Sequence, residues 1–350
     1  MELFRKPLDN ARHWVIFVAV LAMLMQPSSA GAIGESVHIP IAMAADAGYL
    51  YPTIVALTSL FETAAESTRY AVTIMVPGNF KMEHANKILE LLRTYERHSI
   101  TFVNMGDAFE TAYMDRPWGV PVTSPVYYRL LLPQVLAEEP KCIWIDGDTV
   151  TLQDLQRMYF IDMDKYDIAG APSLTFRSQS LTSSEFEGSE LLRAYGIDPS
   201  RWICSGVMLM NLEKMREDGC VQKFLDCMDK YPTLLHVQDE SVLNVCCPFI
   251  RALPLKYGMF NCWPDLRALR FWTVGLLAPD ELEQNGTEEE APAIVHYACK
   301  QKPWLGVVAH DDLWWRFVEM TPHPDEIKAW VALKTEGRPR RRTLRMPTTW

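Results

Sequence analysis

From about residue 36 onward, apolar runs of strand length alternate with longer segments whose apolar residues fall at helical spacing, and this alternation constrains the fold most. Strands joined by helical crossovers run parallel, because a tight turn can only reverse the chain. HIPIAMAA (His38 to Ala45), AVTIMV (Ala71 to Val76), ITFV (Ile100 to Val103) and CIWI (Cys142 to Ile145) predict successive strands. Between them, Pro52 at a first helical position with Val55, Leu57, Leu60 and Phe61 predicts one helix. Ala85, Ile88, Leu89 and Leu92 predict a second, and about Val126 to Leu136 a third. SGVMLMN (Ser205 to Asn211) and AIVHY (Ala293 to Tyr297) are later strands. The expectation is an α/β fold with a largely parallel sheet in one domain, residues 36–325, without internal repeats. The polar stretch from Ser173 to Ser200 is expected to be a connection over the site or a surface excursion.

The two ends differ from this body. Arg5, Lys6 and Arg12 precede the apolar run Trp14 to Met25, and Ala30 and Ala32 stand in an A-x-A pattern, so residues 1–32 have the layout of a signal-like leader. Twelve apolar residues cover about 18 Å as a helix against a hydrocarbon core of about 30 Å, which favours a cleaved or shallow segment over a spanning one. Residues 326–350 form a basic tail with Arg338, Arg340, Arg341, Arg342 and Arg345, either a solvated end or a contact with an anionic membrane surface. The composition of the whole chain, 49% hydrophobic and 22% charged, is that of an ordinary folded protein. The net charge of −10 argues against an extended nucleic-acid surface, which needs clustered cations.

Cys142, Cys204, Cys220, Cys227, Cys246, Cys247, Cys262 and Cys299 contain no C-x-x-C spacing, so a structural zinc site is not expected. Several lie in apolar runs, where a thiol behaves as a small hydrophobe. Asn285-Gly-Thr is a glycosylation sequon that matters only in a eukaryotic secretory route.

The chemistry points to IWIDGDTV. Asp146 and Asp148 follow a buried strand, where open α/β sheets bind ligands at their carboxyl edge. Gly147 lets the chain turn between them without a side-chain clash. Two carboxylates suit Mn²⁺ or Mg²⁺, which can neutralise a diphosphate that an acidic protein would repel. The spacing itself carries little information, since Asp162-Met-Asp164 repeats it in a polar stretch with no apolar strand before it. The same string also fits the nucleophile motif of haloacid-dehalogenase-like phosphatases, with Asp146 attacking phosphorus and Asp148 as acid/base. That family needs a downstream Lys and acidic pair, and its nucleophile strand usually opens the domain; here long α/β structure precedes it.

Several segments, in order from about Ala42 to Pro322, resemble glycosyltransferase family 8, in particular its bacterial lipopolysaccharide glucosyl- and galactosyltransferase branch. They are AMAADAGYLYPTIVALTSL, TSPVYYRLLLPQVL, IWIDGDTVTLQDL, CSGVMLMNLEKMRE, QDESVLN, HYACKQKPW and LWWRFVEMTP. The resemblance implies a GT-A fold, a single Rossmann-like nucleotide-diphospho-sugar transferase domain. It also implies Mn²⁺ dependence, a UDP-sugar donor such as UDP-glucose or UDP-galactose, a saccharide or glycolipid acceptor, and retention of anomeric configuration.

By position, the resemblance implies that Asp146, Asp148 and His296 ligate the metal and that Lys302 binds the diphosphate. Ala44, Asp46, Tyr49, Gly147 and Cys204 fall at donor-binding positions, with Asp46 on uracil or ribose and Tyr49 stacked on uracil. Arg129 lies near the donor sugar and diphosphate, and Asp239 binds donor-sugar hydroxyls. Glu240 stands close to the anomeric carbon, where relatives often carry Gln. It could act as a covalent nucleophile, although a front-face route with the leaving phosphate as base is preferred. Asp239 could also cap the helix that QDE opens. Cys204 stands for a usual Asn, Gly48 for a frequent Asn and Cys299 for a frequent Gly. Donor affinity and sugar choice are therefore open, as is a UDP-sugar-binding relative with weak turnover. The leader implies a membrane-associated or secretory location, with the cytoplasmic face of a bacterial inner membrane as the alternative, because bacterial UDP-sugars are cytoplasmic.

Overall fold

A computed structural model describes residues 36–112, 123–182, 192, 195–231, 237–261, 276–278, 281, 291–298 and 300–336. The leader, most of the basic tail, Asn285, Cys262 and Cys299 lie outside these residues. Among the described residues, no helix is long and apolar enough to cross a membrane.

The predicted strands are present with small shifts: β1 (Val37–Ala44), β2 (Thr68–Val76), β3 (Ser99–Asn104) and β4 (Lys141–Ile145). They lie side by side in a seven-stranded sheet with β6 (Ile168–Pro172), β7 (Ile203–Asn211) and β8 (Ile250–Ala252), in the order β3-β2-β1-β4-β7-β6-β8. The pairs β2–β1, β2–β3, β1–β4 and β6–β8 are parallel, and β7 runs antiparallel to both β4 and β6. The sheet is thus mixed but mostly parallel. Both faces are covered, which is why the strands read as continuous apolar runs. Ile143, Ile145, Val207 and Leu209 join one core cluster, and Cys142, Trp144, Met208 and Met210 the other, as the period of two requires.

A second, three-stranded sheet stands at the carboxyl edge: β5 (Thr149–Thr151), β10 (Ile294–His296) and β9 (Met259–Phe260), in the order β5-β10-β9. Its antiparallel β5–β10 register sets His296 opposite Thr149.

Helix α1 (Leu50–Glu62) follows a 3₁₀ turn, Ala47–Tyr49, so Pro52 is the third helical residue rather than the first. It is tolerated there because the first four N–H groups of a helix have no partner inside it. Helix α2 (Met82–Leu89) passes into a 3₁₀ turn over Glu90–Arg93. The helix expected over Val126 to Leu136 is instead a 3₁₀ helix, Ser124–Leu131, followed by one short α-helical stretch, α3 (Leu132–Val135). Pro133 in α3 has no N–H to continue an α-helical ladder from the preceding residues. Beyond α4 (Gln156–Tyr159), the polar stretch expected either over the site or on the surface contains α5 (Leu174–Thr182), whose start is buried. Helices α6 (Leu212–Glu217), α7 (Cys220–Lys230) and α8 (Gln238–Cys246) cover one face of the sheet, while α9 (Asp311–Val318) packs beside α1 and is followed by α10 (Pro324–Thr335).

Candidate active site

Asp146 leaves β4 with its N–H donated to the carbonyl of Gly206 (2.8 Å). Its Oδ1 accepts from Trp144 Nε1 (2.9 Å) and from Arg129 Nη2 (2.8 Å), leaving Oδ2 toward His296 Nε2, 3.7 Å away. Asp148 is buried, with Oδ1 3.1 Å from His296 Nε2 and Oδ2 2.6 Å from Lys302 Nζ. Burial pushes the Asp148 carboxyl up, but the Lys302 ammonium and His296 outweigh it and hold the group well below the usual carboxylate range. The ligand atoms of Asp146, Asp148 and His296 all lie within 4.8 Å of one another. Two hard oxygens and one imidazole nitrogen in that space suit a divalent cation. The control pair behaves as its surroundings predict: Asp162 and Asp164 are exposed, and Asp162 simply accepts from the N–H of Asp164.

Two glycines make the approach possible. A Cβ on Gly206 would lie 2.0 Å from His296 Cε1, so the ring occupies space that any side chain there would fill. A Cβ on Gly147 would lie 2.8 Å from Thr53 Oγ1 of α1. Gly147 is not among the residues with positive φ, so the sequence reasoning found the residue but gave half the cause. The turn does not demand a left-handed glycine; the close approach of α1 does.

Arg129 ties the carboxylates together. It is 3% exposed and lies over the Trp144 ring, 4.4 Å from its centroid. Besides Asp146, it donates from Nη1 to the Ser205 carbonyl and from Nε to the Val126 carbonyl (3.2 Å). Its Nε also stands 3.1 Å from Asp239 Oδ2. Because that N–H is directed at Val126, Asp239 Oδ2 has a charge contact but no hydrogen bond. Burial pushes the Asp239 carboxyl up to about 6, against the pull of Arg129. Asp239 does not cap α8: the N-cap is Val237, without a side-chain bond, and the carboxylate sits inside the first turn facing Arg129. Glu240 is also buried, its Oε1 accepting from Trp202 Nε1 (2.7 Å) and its Oε2 from the Ser205 N–H (3.1 Å). Burial pushes its carboxyl up to about 7 despite these two donors.

Two cavities meet at the aspartates. The smaller, about 210 Å³, is lined by Ala44, Asp46, Tyr49, Arg129, Gly147 and both aspartates among others. Asp46 Oδ1 caps the 3₁₀ turn through the N–H groups of Gly48 and Tyr49, and Oδ2 accepts from Thr123 Oγ1 (2.8 Å). Tyr49 presents its ring edge-on to Trp304, centroids 5.9 Å apart. The larger cavity, about 570 Å³, is lined by both aspartates, Cys204, Glu240, His296, Phe176, Phe260 and Lys300 among others. Cys204 Sγ lies 4.0 Å from His296 Nδ1, and burial pushes its thiol far up, so it is a neutral neighbour of the imidazole. Lys302 is present but buried, committed to Asp148 and the Tyr297 carbonyl.

Ten of the twelve expected site residues line these cavities, while Asp239 meets the site through Arg129 and Lys302 through Asp148. Trp144, Gly206, Trp202, Ser205, Thr123 and Phe176 were missed. Only Gly206, beside the strand SGVMLMN, had a signal, a glycine inside an apolar strand marking close approach.

A mostly parallel sheet carrying paired carboxylates at the end of β4, with an imidazole brought in by β10, is the arrangement of a GT-A fold. The solved structures that resemble it agree. An active-site glutamine-to-glutamate mutant of LgtC matches with a TM-score of 0.68 at 17% identity, over 83% of this chain and 100% of that one. The bifunctional glycosyltransferase WbbM matches at 0.66 and 17%, over 87% and 53%. At this identity the likeness establishes the fold alone. The chain belongs to glycosyl transferase family 8, whose family model matches residues 40–307. Curated relatives include General stress protein A of Bacillus subtilis (strain 168), 23% identical over 54% of this chain and 62% of the relative. Glycosyltransferase GlyF of Streptococcus pneumoniae serotype 4 is 22% identical over 80% of this chain and 61% of the relative. The chain thus spans about three fifths of the length of these two. Family membership displaces the phosphatase alternative, and β4 lies fourth in chain order and at the middle of the sheet instead of opening the domain.

Proposed function

We propose that this glycosyltransferase moves a hexose, glucose or galactose, from a UDP-sugar to a saccharide or glycolipid acceptor with retention of configuration, and that Mn²⁺ serves it, with Mg²⁺ able to substitute. The observation that carries the reading is the convergence of Asp146, Asp148 and His296 between two cavities, with Lys302 against the same aspartate. A solved structure of LgtC, matching at a TM-score of 0.62 and 17% identity, holds donor and acceptor sugar analogues. The two cavities are assigned by analogy: the smaller to the nucleotide, the larger to the transferred sugar and acceptor.

Asp146, Asp148 and His296 would hold the ion, which when bound supplies positive charge to offset the diphosphate. Tyr49 offers an aromatic face to uracil, and Asp46 an oxygen to the nucleoside. Lys302, so close to Asp148, is placed to share a departing phosphate's charge. Asp239 Oδ2, buried against Arg129 with no hydrogen-bond donor of its own, would accept from a sugar hydroxyl once the donor opens a path to it. Both oxygens of Glu240 already accept N–H donors, which supports a role in shaping and polarising the sugar site over direct attack, and so favours the front-face route. We further propose that the leader or the basic tail gives a peripheral membrane contact, in a membrane-associated or secretory setting.

The test is purified protein with Mn²⁺ and a panel of UDP-sugars. Slow UDP release from UDP-glucose or UDP-galactose, abolished in Asp148→Ala, is expected. Tight UDP binding with no turnover, even with saccharide acceptors present, would instead establish a donor-binding relative without transfer.

A further inference from the structure

The donor to Glu240 Oε1 is itself held by further contacts. Trp202, 2% exposed at the entry to β7, points its indole N–H at Glu240 Oε1 (2.7 Å). Phe176 of α5 stacks on the Trp202 ring, centroids 3.8 Å apart and planes within 12°. The Trp202 carbonyl accepts from Arg177 Nε (3.0 Å) and from the Ser173 N–H (3.1 Å). Arg177 is itself clamped by a two-pronged ion pair to Glu281, Nη1–Oε2 2.7 Å and Nη2–Oε1 3.1 Å, with both residues buried. Asn244, one turn beyond Glu240 on α8, closes the other side: its amide takes the Ile203 N–H and donates to the Ile203 carbonyl and the Glu240 carbonyl, each at 2.9 Å.

The indole is therefore held at three points before it reaches Glu240. Its ring is stacked, its carbonyl is fixed by an arginine, and the next residue is bonded to α8. Such a group is preorganised, because neither the ring nor the carboxylate must give up rotamer freedom to meet. The lever also connects distant parts of the chain: Glu281 acts on Arg177, Arg177 on Trp202, and Trp202 on a carboxylate in the cavity wall.

We propose that Trp202 is a positioning residue that fixes Glu240 in the sugar cavity, and that the Arg177–Glu281 pair sets the indole in place. Its catalytic part rests on the transferase reading given above; its structural part does not. The two are separated by using one readout that needs no turnover.

The full chain, with its 11 tryptophans labelled by ¹⁵N at the indole, gives one proton signal per ring. The Trp202 signal is identified by its loss in W202F, which keeps an aromatic ring on Phe176 and removes the N–H together with the five-membered part of the indole. At pH 8, where Glu240 is ionised, that signal is expected downfield, and expected to move upfield in E240Q, where a neutral amide replaces the carboxylate. R177K, which keeps the charge but not the fork, should move the same signal.

Kinetically, W202F should lower kcat for UDP release from UDP-glucose or UDP-galactose about ten-fold or more with donor KM little changed, the scale of a hydrogen bond to a charged group. The same change made in E240Q should cost much less. A Trp202 signal that ignores E240Q overturns the proposal. So does W202F turning over as the parent does, or a rise in KM at unchanged kcat. Should the parent release no UDP from any UDP-sugar, the transferase reading fails, and the indole signal alone decides whether Trp202 holds Glu240.

Discussion

Replacing Glu240 by Gln should change the pH dependence of folding in a direction that burial dictates. The carboxyl is raised from an ordinary value of 4.5 to about 7. A carboxyl whose pKa is raised on folding binds its proton more tightly in the native state, so its stabilising contribution is greatest below pH 4.5 and is lost as pH rises through 7. Integrated between pH 5 and pH 8, this loss is roughly 2–3 kcal/mol. Gln cannot titrate, so the variant escapes it. The amide also carries a pH-independent penalty: its oxygen can accept from Trp202, but its NH₂ then faces the Ser205 N–H, a mismatch of about 1–3 kcal/mol. The absolute stability of Glu240→Gln is thus a contest of similar terms, while its change with pH is not. Relative to the parent, the variant should gain roughly 2–3 kcal/mol from pH 5 to pH 8, or about 3–5 °C in Tm for a chain of this size. Thermal unfolding of both proteins across that range, with a chelator present in both, measures the difference. Groups that titrate alike in both proteins cancel in the difference. A constant offset between the two curves would refute the idea that Glu240 is a desolvated, proton-binding carboxyl.

Two further outcomes follow from the glycines. Gly206→Ala puts a methyl 2.0 Å from His296 Cε1, so it should displace the imidazole and weaken Mn²⁺ binding by ten-fold or more, about 1.4 kcal/mol, read by calorimetric titration. Gly147→Ala should destabilise by about 1–3 kcal/mol through overpacking against Thr53, and Thr53→Ala should restore much of that loss in the double variant, read by denaturant midpoints.

The strands were legible because both faces of the sheet are covered, which leaves a local apolar signature at β1, β2, β3, β4 and β7. The 3₁₀ helix over Ser124–Leu131 was not legible as such: its apolar spacing resembles an α-helix, and Pro133, with no N–H to bond back into the preceding turn, is the local sign that the segment is not one continuous α-helix. At the start of α5 the polar Ser173, Thr175 and Arg177 leave a surface excursion and a connection over the site equally open in the sequence; Arg177 is buried because a distant Glu281 neutralises it.

What the sequence by itself determined is the class of fold, the order of its segments and the residue types of the site. Those follow from local periodicity and from motif strings that survive without neighbours. The aspartates Asp146 and Asp148 differ from Asp162 and Asp164 already at that level, through the apolar strand before them. The resemblance already set His296 and Lys302 at the aspartate site; the tertiary structure supplied the means, bringing residues 148 and 154 positions from Asp148 to meet it through the register of β10 on β5. It also decided that Gly206 must be bare, that Asp239 faces Arg129 instead of capping α8, and that Glu240 is held by Trp202. The physical reason is common to all four: each depends on space and charge supplied by another part of the chain.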